Sequence, residues 1–281
     1  MQIGTRGFSV LPLVVKNLLI INGLFFLATI ALDSAFRLDL YRIFGLHFFG
    51  ATNFSPYQFV TYMFMHGSFT HLFFNMFALW MFGNVLENVW GPRRFLTYYF
   101  ITGFGAAVIH YIVVYWQMLP TLQAIDLFLQ NPTNAGLQDF VSSELFKIAS
   151  LEIQSNFEVF RNEYNVLVAN NSQEALISAI NFMSQYRLDY INAPVVVGAS
   201  GAVFGILLAF GMLFPNSLIY VFFAIPIKAK YFVMIYGALE LYFGISGKGA
   251  DNVAHFAHLG GMIFGFLLIR YWQKKTKREF F

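Results

Sequence analysis

Six stretches of this chain are long and apolar enough to cross a bilayer: residues 14–32, 57–82, 95–116, 197–214, 229–245 and 254–272. Nothing constrains its folding more. Hydrocarbon offers no partner for a backbone N–H or C=O, so each crossing of about 20 residues has to satisfy its own hydrogen bonds, as a helix does. Charged residues make up only 11% of the chain, against about 25% in soluble domains. The expected fold is therefore an all-α polytopic membrane protein, a bundle of six transmembrane helices. The first stretch has the length of a signal peptide, but it runs on into an aromatic-rich connection with no small-x-small cleavage site, so it reads as an uncleaved anchor.

Lysine and arginine set the orientation. With the N-terminus inside, Arg6, Lys16, Arg93, Arg94, Lys228, Lys230 and the tail residues Arg270, Lys274, Lys275, Lys277 and Arg278 fall on the cytoplasmic side. Arg37, Arg42, Lys147, Arg161, Arg187 and Lys248 fall outside, spread over many more residues. The expected arrangement is N-in and C-in, in the cell (inner) membrane, with the lipid bilayer as the main partner. A net charge of +3 with no basic stripe argues against a nucleic-acid partner. The chain has no cysteine, which excludes disulfides, thiol catalysis and Cys-ligated metal sites; no cofactor is expected.

Residues 117–195 differ from their surroundings and divide the chain into 1–116 (spans one to three), the insert 117–195 and 196–281 (spans four to six and a basic tail). The insert is acidic, with Asp126, Asp139, Glu144, Glu152, Glu158, Glu163, Glu174 and Asp189 against three basic residues. Apolar residues recur at helical spacing: Leu137, Val141, Leu145 and Ile148; Phe157, Phe160, Tyr164 and Leu167; Leu176, Ile180 and Met183. Asn171 with Glu174 three residues on forms a capping pair at the start of the last helix. The expectation is an extracytoplasmic helical subdomain, either a solvated cap or a gate on what approaches the outer face.

Polar residues inside the spans carry the chemistry, since they are costly there and face the bundle interior or a wet cavity. "MHGSFTHLFFNM" (65–76) holds His66, His71 and Asn75. His71 and Asn75, four apart, share a helix face, while His66 and His71, five apart, splay. Interhelical hydrogen bonding, a metal site and an oxyanion-binding pair are all open readings, the metal disfavoured because the stretch has no HExxH and no carboxylate. In span six, His258 lies three residues before Gly261, and Gly261 with Gly265 forms a small-xxx-small face. In span four, Gly201 and Gly205 form another beside Ser200. Were these two faces to meet, Ser200 and His258 would come within hydrogen-bond range, as a serine nucleophile and its base require.

At this point the residues resemble those of the rhomboid intramembrane serine proteases. "GASG" (198–201) is similar to that family's GxSG motif, "AHLGGMIFG" (257–265) to its AHxxGxxxG motif, and "HGSFTHLFFN" (66–75) to its HxxxxHxxxN pattern. "GNVLENVWG" (83–91) resembles the turn after the second span, with Glu87 at its acidic position. The resemblance implies a rhomboid-like bundle in which Ser200 is the nucleophile and His258 the base and acid, with His71, Asn75 and the Ser200 N–H as the oxyanion hole. It also implies that Phe204 stacks on His258, that His66 hydrogen-bonds the first outer loop, and that Gly198, Gly201, Gly205, Gly261 and Gly265 support the site. Two departures stand out: Tyr57-Gln58 replaces the family's Trp-Arg pair in the first loop, and the insert is absent from the family core.

The implied activity is endopeptidase cleavage of single-span or polytopic membrane proteins near the outer surface, at helices that unwind easily. No acidic residue near His258 in sequence orients it, so a Ser-His dyad is expected, with the imidazole held by Phe204. Two other readings stand beside it. A non-proteolytic relative that binds membrane clients would have no need of both Ser200 and His258. A transporter would show a polar track through the membrane, whereas polarity here gathers towards one end of spans two, four and six. Phe222, Phe223, Tyr231 and Phe232 suggest a lipid-facing side at span five, and Lys228 and Lys230 read as interface anchors.

Overall fold

The computed structural model describes residues 9–221, 224–246 and 252–279; Arg6, Lys248, Phe222 and Phe223 lie outside them. The chain forms two compact units, one of Met1–Leu46, Pro56–Tyr111 and Val196–Phe281, the other of His47–Ser55 and Ile112–Val195.

The first unit is built inside out relative to a soluble domain. Helix α1 (Leu13–Phe36) turns Ile20, Leu24, Leu27 and Ile30 outward while burying Asn22 and Thr29. Such a surface suits lipid, where apolar side chains need no shelter. Within the helix, Asn22 Nδ2 donates to the Leu18 carbonyl at 2.7 Å and Thr29 Oγ1 to that of Phe25 at 2.8 Å. Helix α2 (Leu40–Phe44) follows, capped by Asp39.

The second span begins later than its hydropathy suggests. A short helix α3 (Gln58–Thr61) and a 3-10 turn (Tyr62–Phe64) precede a break, and α4 (Phe69–Ala78) starts only after Ser68. The Ser68 hydroxyl accepts from the His71 N–H at 3.1 Å, an N-cap that fixes the start at this residue. A π-helical turn (Leu79–Gly83) leads into α5 (Asn84–Trp90), so the continuous apolar helix is Phe69–Trp90 rather than 57–82.

Helix α6 (Pro92–Gln130) spans 39 residues and runs well past the expected end at 116, through Pro120. The overlooked signal is a continued helical repeat, since Met118, Thr121, Ile125 and Phe128 are all buried. Helix α10 (Ser200–Leu213) is apolar but only 14 residues long. An antiparallel pair of strands, Leu218–Val221 and Ile225–Lys228, joins it to α11 (Ala229–Ser246), and α12 (Asn252–Glu279) closes the unit. Three helices among the described residues, α1, Phe69–Trp90 and α6, are individually long and apolar enough to cross a membrane. The chain is an integral membrane protein with a polytopic helical bundle.

In the second unit, α7 (Asn134–Ser142), α8 (Leu151–Asn170) and α9 (Ser172–Asn192) are each capped by the residue before them, Thr133, Ser150 and Asn171. The Asn171 side chain accepts from the N–H groups of Gln173 and Glu174, as its spacing predicts. Helix α7 stops at Ser142, short of Leu145 and Ile148. The Ser143 hydroxyl donates to the Phe140 carbonyl and accepts from the Leu145 N–H, offering the backbone an alternative to another helical turn. Between α8 and α9, Phe160 stacks on Phe182 at 4.1 Å. Burial pushes the neighbouring Tyr186 phenol up to about 12, and its oxygen both accepts from the Lys147 N–H and donates to the Lys147 carbonyl.

Candidate active site

Gly198 turns the chain into α10 with φ +127°, a region that a side chain disfavours. Its N–H donates to the Tyr62 carbonyl at 2.9 Å. A Cβ there would sit 2.8 Å from the His71 ring and 3.7 Å from Ser200 Oγ. The absent side chain is thus what allows the His71 imidazole and the Ser200 hydroxyl to converge on one spot. Ser200 is the first residue of α10, so its N–H is among those that no helical carbonyl reaches.

Helix α12 approaches α10 at one glycine contact. A Cβ on Gly261 would collide with the Gly201 carbonyl, so only glycine fits. The other two glycines of the expected faces serve a different neighbour. A Cβ on Gly205 would meet Thr102, and one on Gly265 would meet Tyr98, both on α6. The closest approach of α10 and α12 at these glycines is therefore the crossing at Gly201 and Gly261, while α6 fills the grooves at Gly205 and Gly265. A small-xxx-small spacing permits close approach but does not say which helix approaches.

One helical turn from Ser200, Phe204 lies flat on His258, with ring centroids 4.2 Å apart and planes 6° from parallel. Phe204 and His258 thus meet beside the Gly201–Gly261 crossing, on the Ser200 side of α10.

His66 and His71 do not splay. Their rings meet edge to face at 5.0 Å because residues 65–68 are not helical, which cancels the five-residue helical offset. The His66 backbone carbonyl accepts from the Tyr41 hydroxyl at 2.8 Å, tying it to α2. Among the described residues neither His66 ring nitrogen has a hydrogen-bond partner. Asn75, 6% exposed, likewise presents a buried side-chain N–H₂ without a partner. In the first loop, Tyr57 Oη and Gln58 Nε2 both donate to the Ile43 carbonyl, at 3.1 and 3.2 Å, so the departure at these positions still produces a hydrogen-bonded anchor.

Glu87 sits apart from these groups. Its buried carboxylate accepts from the Val14 N–H at 2.9 Å and the Val15 N–H at 2.8 Å, capping α1 from α5. Pro12, at the cap position itself, supplies no side-chain hydrogen bond.

Sequence reasoning missed Glu240. Its Oε2 lies 2.9 Å from His258 Nδ1 and 2.7 Å from His255 Nδ1. A carboxylate in an apolar span is a signal in itself, but Glu240 is 15 and 18 residues from its two partners, and only the packing of α11 on α12 joins them. The three side chains place ligand atoms within 4.8 Å of one another, the types and number that a zinc ion takes. As they stand, both Nδ1 atoms aim at one oxygen, which accounts for the cluster as a single charge-assisted network.

A family model described as Rhomboid domain matches residues 53–121 and 166–275, more than half of the chain. No curated protein matches the chain, and no solved structure does.

Proposed function

Because the chain belongs to the rhomboid family of intramembrane serine proteases, we propose that it is an active endopeptidase that cleaves membrane protein substrates through Ser200 and His258. Ser200 Oγ attacks the scissile carbonyl as His258 takes its proton. The oxyanion so formed is held by His71, the Asn75 amide and the Ser200 N–H, and His258 then protonates the leaving amine before water releases the acyl group. The stack of His258 on Phe204, one turn past Ser200 and beside the Gly201–Gly261 crossing, carries this reading. Two further observations support it: the unpartnered Asn75 donor, and the glycine turn that brings His71 towards Ser200. A buried donor without a partner is costly in a resting protein, and an oxyanion would complete it.

The length of α10 bears on where cleavage occurs. Fourteen residues rise about 21 Å at 1.5 Å each, against a hydrocarbon core of about 30 Å. With Leu213 at one interface, Ser200 lies below the opposite surface, in a pocket that polar side chains keep wet. We place that pocket towards the outer face, with six spans, both termini in the cytoplasm, residues 117–195 outside, and the cell membrane as its location. This orientation rests on the distribution of lysine and arginine.

The deciding experiment is cleavage of a single-span substrate in proteoliposomes. Wild type should cleave it, while Ser200→Ala and His258→Ala should each lose all measurable turnover, by about 10⁴-fold or more. Cleavage that survives either change would remove these residues from the mechanism.

A further inference from the structure

The Ser-His pair expected from sequence has a third member. We infer that Glu240 is a positioning residue that fixes His258 as its Nδ1–H tautomer and so presents Nε2 as the base towards Ser200. This rests on the function proposed above and refines the same site.

Glu240 stands in an otherwise apolar helix, "GALELYFG" (237–244), with its side chain 13% exposed. An ionised carboxylate held there needs partners, and its Oε2 has two, the Nδ1 atoms of His255 and His258 at 2.7 and 2.9 Å. An ionised carboxylate only accepts hydrogen bonds, so each Nδ1 must carry the proton it shares with Oε2. In neutral His258 the lone pair then resides on Nε2. The Phe204 stack sets the plane of the ring, and the bond to Glu240 sets its rotation within that plane. Together they leave the imidazole one orientation.

His255 holds the other side of the carboxylate. Its ring lies against Phe243, one turn beyond Glu240 on α11, with centroids 5.7 Å apart. Tyr236, one turn before Glu240, lies 6.4 Å from Phe204. One face of α11 (Tyr236, Glu240 and Phe243) therefore frames the imidazole of α12. Among the described residues, the ionisable groups around His258 are Glu240 from α11, His255 from α12 and, within electrostatic reach, His71 from α4. In the reaction the Ser200 proton passes to His258 Nε2. Glu240 stays ionised, takes no proton, and stabilises the imidazolium that forms.

The test uses the full chain in proteoliposomes, with kcat and KM measured for Glu240→Gln, Glu240→Ala and His255→Ala, and with Ser200→Ala as the zero. Labelling of Ser200 by a fluorophosphonate reports the activated hydroxyl independently of substrate. Both Glu240 variants should lose kcat by about 10²-fold or more, towards the ~10⁴-fold loss known for the acid of a serine-protease triad, with KM within about threefold and slowed labelling. His255→Ala, which leaves the Glu240–His258 bond intact, should lower kcat by less than about tenfold. Wild-type kcat in Glu240→Gln, or equal losses in Glu240→Gln and His255→Ala accompanied by raised KM, would overturn the assignment. So would inactivation of wild type by EDTA with recovery on adding zinc, since the three groups would then be metal ligands. Should Ser200→Ala be dead while Glu240→Gln is unimpaired, this inference alone falls. Cleavage by Ser200→Ala would instead bring down the function on which it rests. If Glu240→Ala does not fold, Glu240→Gln, which keeps shape and an acceptor, decides.

Discussion

Single atoms decide much of this site. At Gly198 the chain needs a backbone conformation that L side chains resist and a vacancy where His71 sits. Gly198→Ala should therefore lower stability by about 1–3 kcal/mol and, by displacing the His71 ring, lower kcat by about 10²-fold. Unfolding midpoints in detergent and turnover on a single-span substrate measure the two effects; full activity would show that His71 need not hold this position. Legibility at this scale follows the chemistry. Ser200 and His258 stand out in the sequence because the proposed nucleophile and base each sit among glycines that close packing demands. Glu240 does not, because a lone carboxylate among apolar residues announces a cost without naming what offsets it. The placing of His66 is hidden for a related reason, since a helical offset has no meaning until the cap at Ser68 says where the helix begins.

At the level of elements, helices α1, α10, α11 and α12 lie on apolar stretches that hydropathy marks, and the differences fall at ends and interfaces. Helix α6 outruns its hydropathy because apolarity fades after residue 116 while the helical repeat continues. Helix α7 is shorter than its apolar repeat because the Ser143 side chain ends it. Spacing pairs the glycines of α10 with those of α12, whereas Gly205 and Gly265 pack on α6. The cap that α5 lends to α1 gives a prediction of its own. Glu87→Ala leaves two helix-terminal N–H groups without their charged acceptor and should cost about 2–4 kcal/mol, while Glu87→Gln, which keeps one acceptor, should cost less. Unfolding in detergent measures both, and a loss under about 0.5 kcal/mol for Glu87→Ala would show that α1 is held by other means.

For the molecule as a whole, every side chain assigned to the chemistry lies in the unit of Met1–Leu46, Pro56–Tyr111 and Val196–Phe281. The other unit has its own caps, its own aromatic core and an ion pair between Arg187 and Asp126 at 2.8 Å. Replacing residues 120–192 by a short flexible linker should therefore leave cleavage of a generic single-span substrate within about tenfold of wild type. A folded but inactive deletion would instead make the insert part of the enzyme. The composition of this segment, acidic and rich in polar helix faces, distinguishes it from the spans in sequence. The joining of His47–Ser55 to it is invisible there, because it depends on contacts such as Thr52 N–H to the Asn192 side chain at 2.8 Å, across 140 residues.

The Glu87 cap also bears on how the chain is made. The carboxylate that seals α1 lies 73 residues downstream of the Val14 N–H it receives. A ribosome delivers these groups in order, so the first helix forms with its leading turn unsealed and waits for the helix Phe69–Trp90 to arrive. Until residue 87 has emerged, the nascent protein carries two helix-terminal N–H groups without their carboxylate acceptor. Arrival of α5 then closes that turn from within.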